Sequence, residues 1–330
     1  MNTLNIGLFG CGTVGGGVYR ILDAQSGSIA AQTGTRLDIT RICVLHPDKE
    51  RDVAIPPHLL TTDGDSILDD PAIDIIIEVI GGEQEALGII SRALVNGKKV
   101  VTANKVVISK YLPLLRRLEE LHGGRLFYGA SVCGSVPILK VIDETLLTDR
   151  VRSLRGVVNG STNFILSRLA EGLSKDAALA LASANGFLEA DPTADLSGAD
   201  AAHKLSILAF HAFGRHIVPE LIPTIGIDLV TAEHVAEAVE IDGVLKLSVA
   251  PRAIPFEDSL ASVQDEVNII EVVCDGVGTQ RFTGKGAGSL PTANAVVTDL
   301  LDILADRQYR RRPTLKGTEK PVVEEDLVAV

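Results

Sequence analysis

Over the first part of the chain, short apolar runs ending in glycine alternate with stretches whose apolar positions recur every three to four residues. Such runs predict strands buried on both faces, and such stretches predict helices packed against them. Leu4 to Phe9 is the first strand, followed by Gly10, Gly12 and Gly15 and then a helical pattern through Val18, Ile21 and Leu22. QSGSIAAQTGTR reads as an insertion before a second strand in LDITRICVL. Asp74 to Ile80 is a strand broken only by Glu78, and a helix through Ala86, Ile89, Ile90 and Leu94 closes at Asn96-Gly97. KKVVTANK predicts a strand ending in Thr102, Ala103, Asn104 and Lys105; a helix around Leu112 to Leu121 and a strand in RLFYGASV follow.

The rhythm then changes. Arg152 to Val158 reads as a strand, Asn159-Gly160-Ser161-Thr162 leads into an amphipathic helix from Phe164 to Ala170, and Ser174 caps a further helix that ends at Gly186. VTAEHVAEAVE has a helical pattern, and GVLKLSVA and NIIEVVCDG read as strands. From Gly284, GKGAGSLPTANAVVTDLLDIL is a glycine-rich turn before a helix of 3.6-residue period. The expected fold class is α/β: a Rossmann-type dinucleotide-binding domain at residues 1–135, then an α+β domain at 136–284. Residues 285–310 are expected to pack back onto the first domain, leaving 311–330 as a tail.

Composition narrows the function. The chain has 330 residues, enough for two domains each with its own core. A formal net charge of -12 argues against binding a phosphate backbone, and 4% aromatic residues with no Trp argue against stacking on bases. Cys11, Cys43, Cys133 and Cys274 are scattered without metal-ligand spacing, which points to a cytoplasmic protein with no structural metal cluster. No apolar run approaches the ~20 residues of a membrane span.

Strand, glycine turn and helix in that order form the setting that a dinucleotide fingerprint needs. Gly10 allows the tight turn, Gly12 lets backbone approach a pyrophosphate, and Gly15 lets helix pack on strand. No acid stands directly at the end of the second strand to bind a ribose hydroxyl, while His46, Lys49 and Arg51 lie close by. That leans toward NADP over NAD, although solvated loop charges would look the same. Lys105 at a strand end is aimed into the crevice of such a sheet; a solvated loop lysine is the plainer reading.

Residues 189 to 205, EADPTADLSGADAAHKL, carry the chemistry. Glu189, Asp191, Asp195 and Asp200 precede a single lysine, Lys204, at the start of a helix that is apolar nearly all round. Ser197 is the expected N-cap, with the helix beginning at Gly198. Asp200 and Lys204 share a face at spacing i, i+4, so the plain reading is a helix ion pair contributing roughly 0.2 to 0.5 kcal/mol. The density of acids around one buried lysine favours instead a site that binds an ammonium group and moves a proton.

These residues resemble the homoserine dehydrogenase family. The GCGTVG turn, TANK at Thr102 to Lys105, VVNGSTNFIL at Val157 to Leu166, EADPTADLSGADAAHKL and GAGSLPTANAVVTDL look like its signatures, in its order. The resemblance implies reversible NAD(P)-dependent oxidation of L-homoserine to L-aspartate 4-semialdehyde, on the route to threonine and methionine. It implies Lys204 as the proton donor and Lys105 as a second lysine contacting cofactor and substrate. Glu189, Asp195, Asp200 and Gly160 would hold the substrate, with Glu189 on its α-ammonium; Thr13, Val14 and Gly288 would join the glycines at the cofactor.

It further implies a homodimer built on the second domain, and sodium on the backbone of Val132, Gly134 and Val136. There Gly129 replaces the acid with which relatives commonly open the segment reading GASVCGSVP. Nothing resembling a regulatory ACT domain follows Leu304, so feedback by threonine of that kind is not expected. Two other readings stay open on the residues: a nicotinamide-binding sensor that has lost turnover, and a related amino-acid dehydrogenase with another substrate.

Overall fold

The computed structural model describes residues 2–188, 191–227, 233–241, 244–252, 254–255, 257–307 and 309. The chain divides into two compact units, one of residues 1–135 and 287–309, the other beginning at Val136 and running to Gly286.

In the first unit, strands β1 (Asn2–Phe9), β2 (Thr35–Cys43), β3 (Leu60–Thr61), β4 (Ile75–Glu78), β5 (Lys99–Thr102) and β6 (Arg125–Phe127) form a parallel sheet in the order β3-β2-β1-β4-β5-β6. That is the doubly wound order, whose direction reverses between β1 and β4. Its helices are α1 (Thr13–Thr33), α2 (Asp65–Leu68), α3 (Gln84–Val95) and α4 (Lys105–His122). The stretch expected as an insertion after α1 is the second half of that helix, ended by Gly34 with φ 72°. Burying Ile29 and Ala30 against the sheet outweighs the weak helix propensity of Ser26, Gly27 and Ser28. RLFYGASV forms only a three-residue strand before a tight turn at Gly129–Ser131.

The second unit holds α5 (Ile138–Lys140), then strand β7 (Val151–Val157) and α6 (Gly160–Ala170), α7 (Lys175–Ala184), α8 (Thr193–Leu196) and α9 (Ala199–Phe213). Strands β8 (Glu233–Ile241), β9 (Val244–Arg252), β10 (Val267–Cys274) and β11 (Gly278–Lys285) complete an antiparallel sheet in the order β11-β10-β7-β8-β9. The helical reading of VTAEHVAEAVE is corrected by β8: pairing with β7 on one side and β9 on the other overrides the helix propensity of its Ala and Glu residues. Val230 to Ala232 of that segment lie outside the described residues. Helix α9 is buried nearly all round, as its pattern demands; each Leu or Ile it buries contributes roughly 1.5–3 kcal/mol.

Helix α10 (Ser289–Leu304) belongs to the first unit, where Ala293, Val296, Val297 and Leu300 join the core of β1 and α1. Beyond it Tyr309 donates to Asp299 at 3.2 Å and packs at a tilt against Tyr128, 4.7 Å between ring centres. Of the expected tail, Gln308 and residues 310–330 lie outside the described residues.

One buried acid fixes where α4 begins. Glu78, at the end of β4, is 0% exposed. It accepts from the Thr102 hydroxyl at 2.6 Å and from the Ile80 N–H at 2.9 Å. Thr102 Oγ1 in turn accepts from Asn104 N–H at 2.9 Å, and the Asn104 side chain caps α4 by accepting from Val107 N–H at 3.1 Å. Lys105 is therefore the first residue of a capped helix rather than a loop residue. Burial pushes the Glu78 carboxyl above the ordinary glutamate range, against the opposing effect of these hydrogen bonds. A carboxyl raised on folding stabilises the fold fully below its unfolded value, and that contribution is lost as pH rises through the folded one. Glu78→Gln cannot titrate, so its melting temperature should gain on wild type as pH rises from the ordinary carboxylate range. Parallel melting curves for the two proteins across that range would contradict this.

Candidate active site

Each glycine of the β1–α1 turn has its own physical reason. Gly10 has φ 93°, and an added Cβ would meet Val79 O at 2.8 Å. At Gly15 a Cβ would lie 2.1 Å from Gly10 O, so only glycine lets α1 leave the strand at this angle. At Gly12 nothing lies within 4 Å, which leaves the backbone open to an incoming group. Helix α1 has no side-chain cap and no acid in its first turn, so its positive end is presented to an anion.

A cleft of about 1300 Å³ opens over this turn, lined among others by Gly10, Cys11, Gly12, Thr13 and Ser289. Ser289 donates to Thr13 O at 2.7 Å, which brings the start of α10, and Gly288 with φ 116° before it, beside the turn. Val14 packs toward the core instead. The loop after β2 forms another wall, with His46, Lys49 and Arg51. Arg51 is committed to that loop: it donates to Pro47 O, Lys49 O and His46 O at 2.9, 2.7 and 2.7 Å. His46 and Lys49 are exposed. Burial raises the Cys11 thiol despite the nearby Arg51 charge, so Cys11 is an apolar filler of the turn. Size, glycine cradle and uncapped helix fit a dinucleotide.

In the second unit the acid-rich stretch closes around Lys204. The ammonium donates to Asp200 Oδ2 at 2.6 Å and to Val158 O at 2.7 Å, and Lys204 and Asp200 are 8% and 5% exposed. Two of its three N–H bonds are thereby used. Asn159 gathers the acids: its Nδ2 donates to Asp195 Oδ1 and Asp200 Oδ2, both at 2.7 Å, while its Oδ1 accepts from Thr162 N–H at 2.8 Å and caps α6. Sequence reasoning gave Asn159 no role; the signal was an Asn directly before the start of a helix.

Ser197 is not the cap expected of it. Gly198, with φ 84°, precedes α9, and Ser197 lies after the short helix α8. Asp191 is not brought to Lys204 but closes its own turn on Thr193, whose hydroxyl and N–H hold the Asp191 carboxyl below its ordinary range. Gly160 has a close-packing reason for lacking a side chain, since a Cβ there would meet Glu266 O at 2.6 Å. Glu189 lies outside the described residues.

Around Gly129 a side chain would have to displace the ends of two others. Its Cβ would stand 2.8 Å from Asp299 Oδ1 and 2.9 Å from the Tyr309 hydroxyl, and Gly129 N–H donates to Asp299 at 2.9 Å. Of the three residues expected at a cation, Val132 and Gly134 fall in the first unit and Val136 in the second, where its carbonyl accepts from Ile138 N–H at 2.8 Å. No group of three or more His, Cys, Asp or Glu residues among those described could hold a metal ion.

A family model described as homoserine dehydrogenase matches residues 137–301, and one for the NAD binding domain of homoserine dehydrogenase matches residues 10–129. The homoserine dehydrogenase of Bacillus subtilis is 36% identical, over 92% of this chain and 73% of that protein. The crystal structure of a homoserine dehydrogenase from Thiobacillus denitrificans matches with a TM-score of 0.88 and 37% identity, covering 92% of this chain and 74% of that one. A hyperthermophilic archaeal homoserine dehydrogenase in complex with NADPH matches with a TM-score of 0.80 and 26% identity, covering 94% of this chain and 100% of that one. Both units are matched by models of one family, and the likeness runs through the sequence as well as the fold; the chain belongs to the homoserine dehydrogenases, NAD(P)-dependent oxidoreductases that act on a CH–OH group.

Proposed function

We propose that Lys204 is the proton donor with which this chain reduces L-aspartate 4-semialdehyde to L-homoserine, and its proton acceptor in reverse. The observation that carries this is the ammonium buried between Asp200 and the Val158 carbonyl. When bound, the nicotinamide dinucleotide supplies or accepts the hydride. As hydride reaches the aldehyde carbon, negative charge builds on oxygen; the third N–H of Lys204 stabilises that charge and then passes it the proton. Asp200 pairs with the ammonium and Val158 O fixes its direction. Asn159 keeps Asp195 and Asp200 side by side, where a substrate ammonium is attracted to them. Glu189 is assigned to that ammonium by resemblance, as the main chain at Gly160 is to the substrate and Lys105 to both ligands.

The same reading gives the cleft of the first unit to NADP in preference to NAD, with Gly10, Gly12, Thr13, Val14, Gly15 and Gly288 around it. The absence of an acid at the end of β2 and the exposed His46 and Lys49 support this. Sodium on the carbonyls of Val132, Gly134 and Val136 belongs to the reading, but no step depends on it. A cytoplasmic homodimer is its last element. The four cysteines form no disulfide with one another, and no described helix is long and apolar enough to cross a membrane.

Following nicotinamide absorbance with L-homoserine tests the reaction directly. Lys204→Ala should lower kcat by roughly 10²- to 10⁴-fold while dinucleotide affinity stays at the wild-type value. Near-normal turnover in that variant would remove Lys204 from the chemistry. For the cofactor, His46→Ala/Lys49→Glu should weaken NADP binding roughly tenfold, the scale of one charge-assisted hydrogen bond, and leave NAD binding nearly unchanged. Equal loss for both dinucleotides would contradict the NADP preference.

A further inference from the structure

Asn268, on β10, is 0% exposed, and neither its amide nitrogen nor its amide oxygen has a hydrogen-bond partner. Drying a carboxamide without replacing its hydrogen bonds to water is unfavourable, so the site needs a reason to hold it. Strand alternation puts Asn268 on one face of β10 with Ile270 and Val272, both 0% exposed. Glu271, on the other face, meets Arg155 and Arg281.

The register places Asn268 beside β11 and next to a residue paired with β7. Asn268 pairs with Gly284 of β11, and its neighbour Ile269 pairs with Val157 of β7. The residue after Val157 is Val158, whose carbonyl anchors the Lys204 ammonium. On its other side lies the glycine-rich turn, and there Gly286 touches the amide. A Cβ at 286 would stand 1.9 Å from Asn268 Nδ2, 2.3 Å from Cγ and 2.6 Å from Oδ1. The carboxamide therefore occupies the space where a side chain at 286 would begin. Gly286 is not among the glycines of positive φ, so its lack of a side chain answers to this contact and not to a torsion.

We propose that Asn268 is a positioning residue for the reaction: its carboxamide is a hydrogen-bonding group held in reserve for the Gly284–Gly288 turn, which it engages when the turn takes up the dinucleotide at Gly288. This rests on the cofactor contact proposed for Gly288. A carboxamide offers two N–H donors and one oxygen acceptor, and Gly286 of the turn lies against it. A small displacement of the turn brings its peptide groups into hydrogen-bond range. Ligand binding then turns a dry amide into a satisfied one, and the dinucleotide gains affinity from a residue it does not touch.

The test compares wild type with Asn268→Leu, Gly286→Ala and Asn268→Ala/Gly286→Ala. It reads melting temperature, NADPH affinity by fluorescence, and kcat and KM with L-homoserine. Leucine has nearly the shape of asparagine and no polar atom, so Asn268→Leu should melt at or above the wild-type temperature. It should nonetheless bind NADPH roughly tenfold more weakly, with the KM for the dinucleotide rising by the same factor. Gly286→Ala should melt lower, because its Cβ meets the amide. The double variant, with that space relieved, should recover the melting temperature and not the affinity. Wild-type affinity in Asn268→Leu or in the double variant would overturn the proposal and leave Asn268 as a space-filling residue. If wild type binds NADPH but does not oxidise L-homoserine, the functional reading falls, and the affinity ratio still decides the role of Asn268. Should Asn268→Leu fail to fold, the double variant decides it.

Discussion

A lysine ammonium held almost out of water sets the terms for the second unit. Taking an isolated charge into a protein interior is prohibitive unless it is paired and hydrogen-bonded. Lys204 meets both conditions with one carboxylate and one main-chain carbonyl. Those partners have to be delivered from separate places: Asp200 from one turn earlier on α9, and Val158 from the residue just beyond β7. Helix α9 can hold the pair only by being buried nearly all round, and β7 can offer Val158 only by ending where α6 begins. Asn159, between that strand and that helix, completes the arrangement by capping one element and bonding to the acids of another.

Strain-free close approach plays the corresponding part in the first unit. Gly15 lies where a methyl group would strike the carbonyl of Gly10, and Gly129 where it would strike Asp299 and Tyr309. Gly12 faces open space. The first two positions are determined by what the protein already places there, the third by what it leaves free for a ligand. At Gly129 the same contact explains a departure from the family pattern, since Asp299 and the hydroxyl of Tyr309 occupy the volume that an acidic side chain would need.

Periodicity made the parallel sheet, the buried helix α9 and the helix α10 legible, because burial on defined faces leaves a period in the sequence. It misread β8 as helix, since Ala and Glu carry helix propensity and strand pairing is a tertiary effect. It also stopped α1 early at Ser26 to Ser28, where packing of Ile29 and Ala30 prevails over local preference. Lys204 and its acids stood out through contrast, as charges on an otherwise apolar helix. The roles of Asn159 and Glu78 were not legible, because each bonds groups that are distant in sequence or belong to the backbone. A single polar residue announces neither its partner nor its cap.

Glu78 and Asn268 are nevertheless the same kind of signal. Each is a polar side chain on a largely apolar strand, Glu78 at the end of β4 and Asn268 near the start of β10, and each is fully buried. They differ in satisfaction. Glu78 is held by Thr102 and Ile80, and through Thr102 it fixes Asn104 and the start of α4; a saturated network of this kind has one arrangement and acts by rigidity. Asn268 has no partner in the state described. An unsatisfied amide beside a glycine turn is a difference in free energy waiting on a small movement, so it favours any second arrangement that supplies the missing bonds. The two networks thus differ in kind: rigidity where α4 begins, and latitude where β11 leads into the glycine turn.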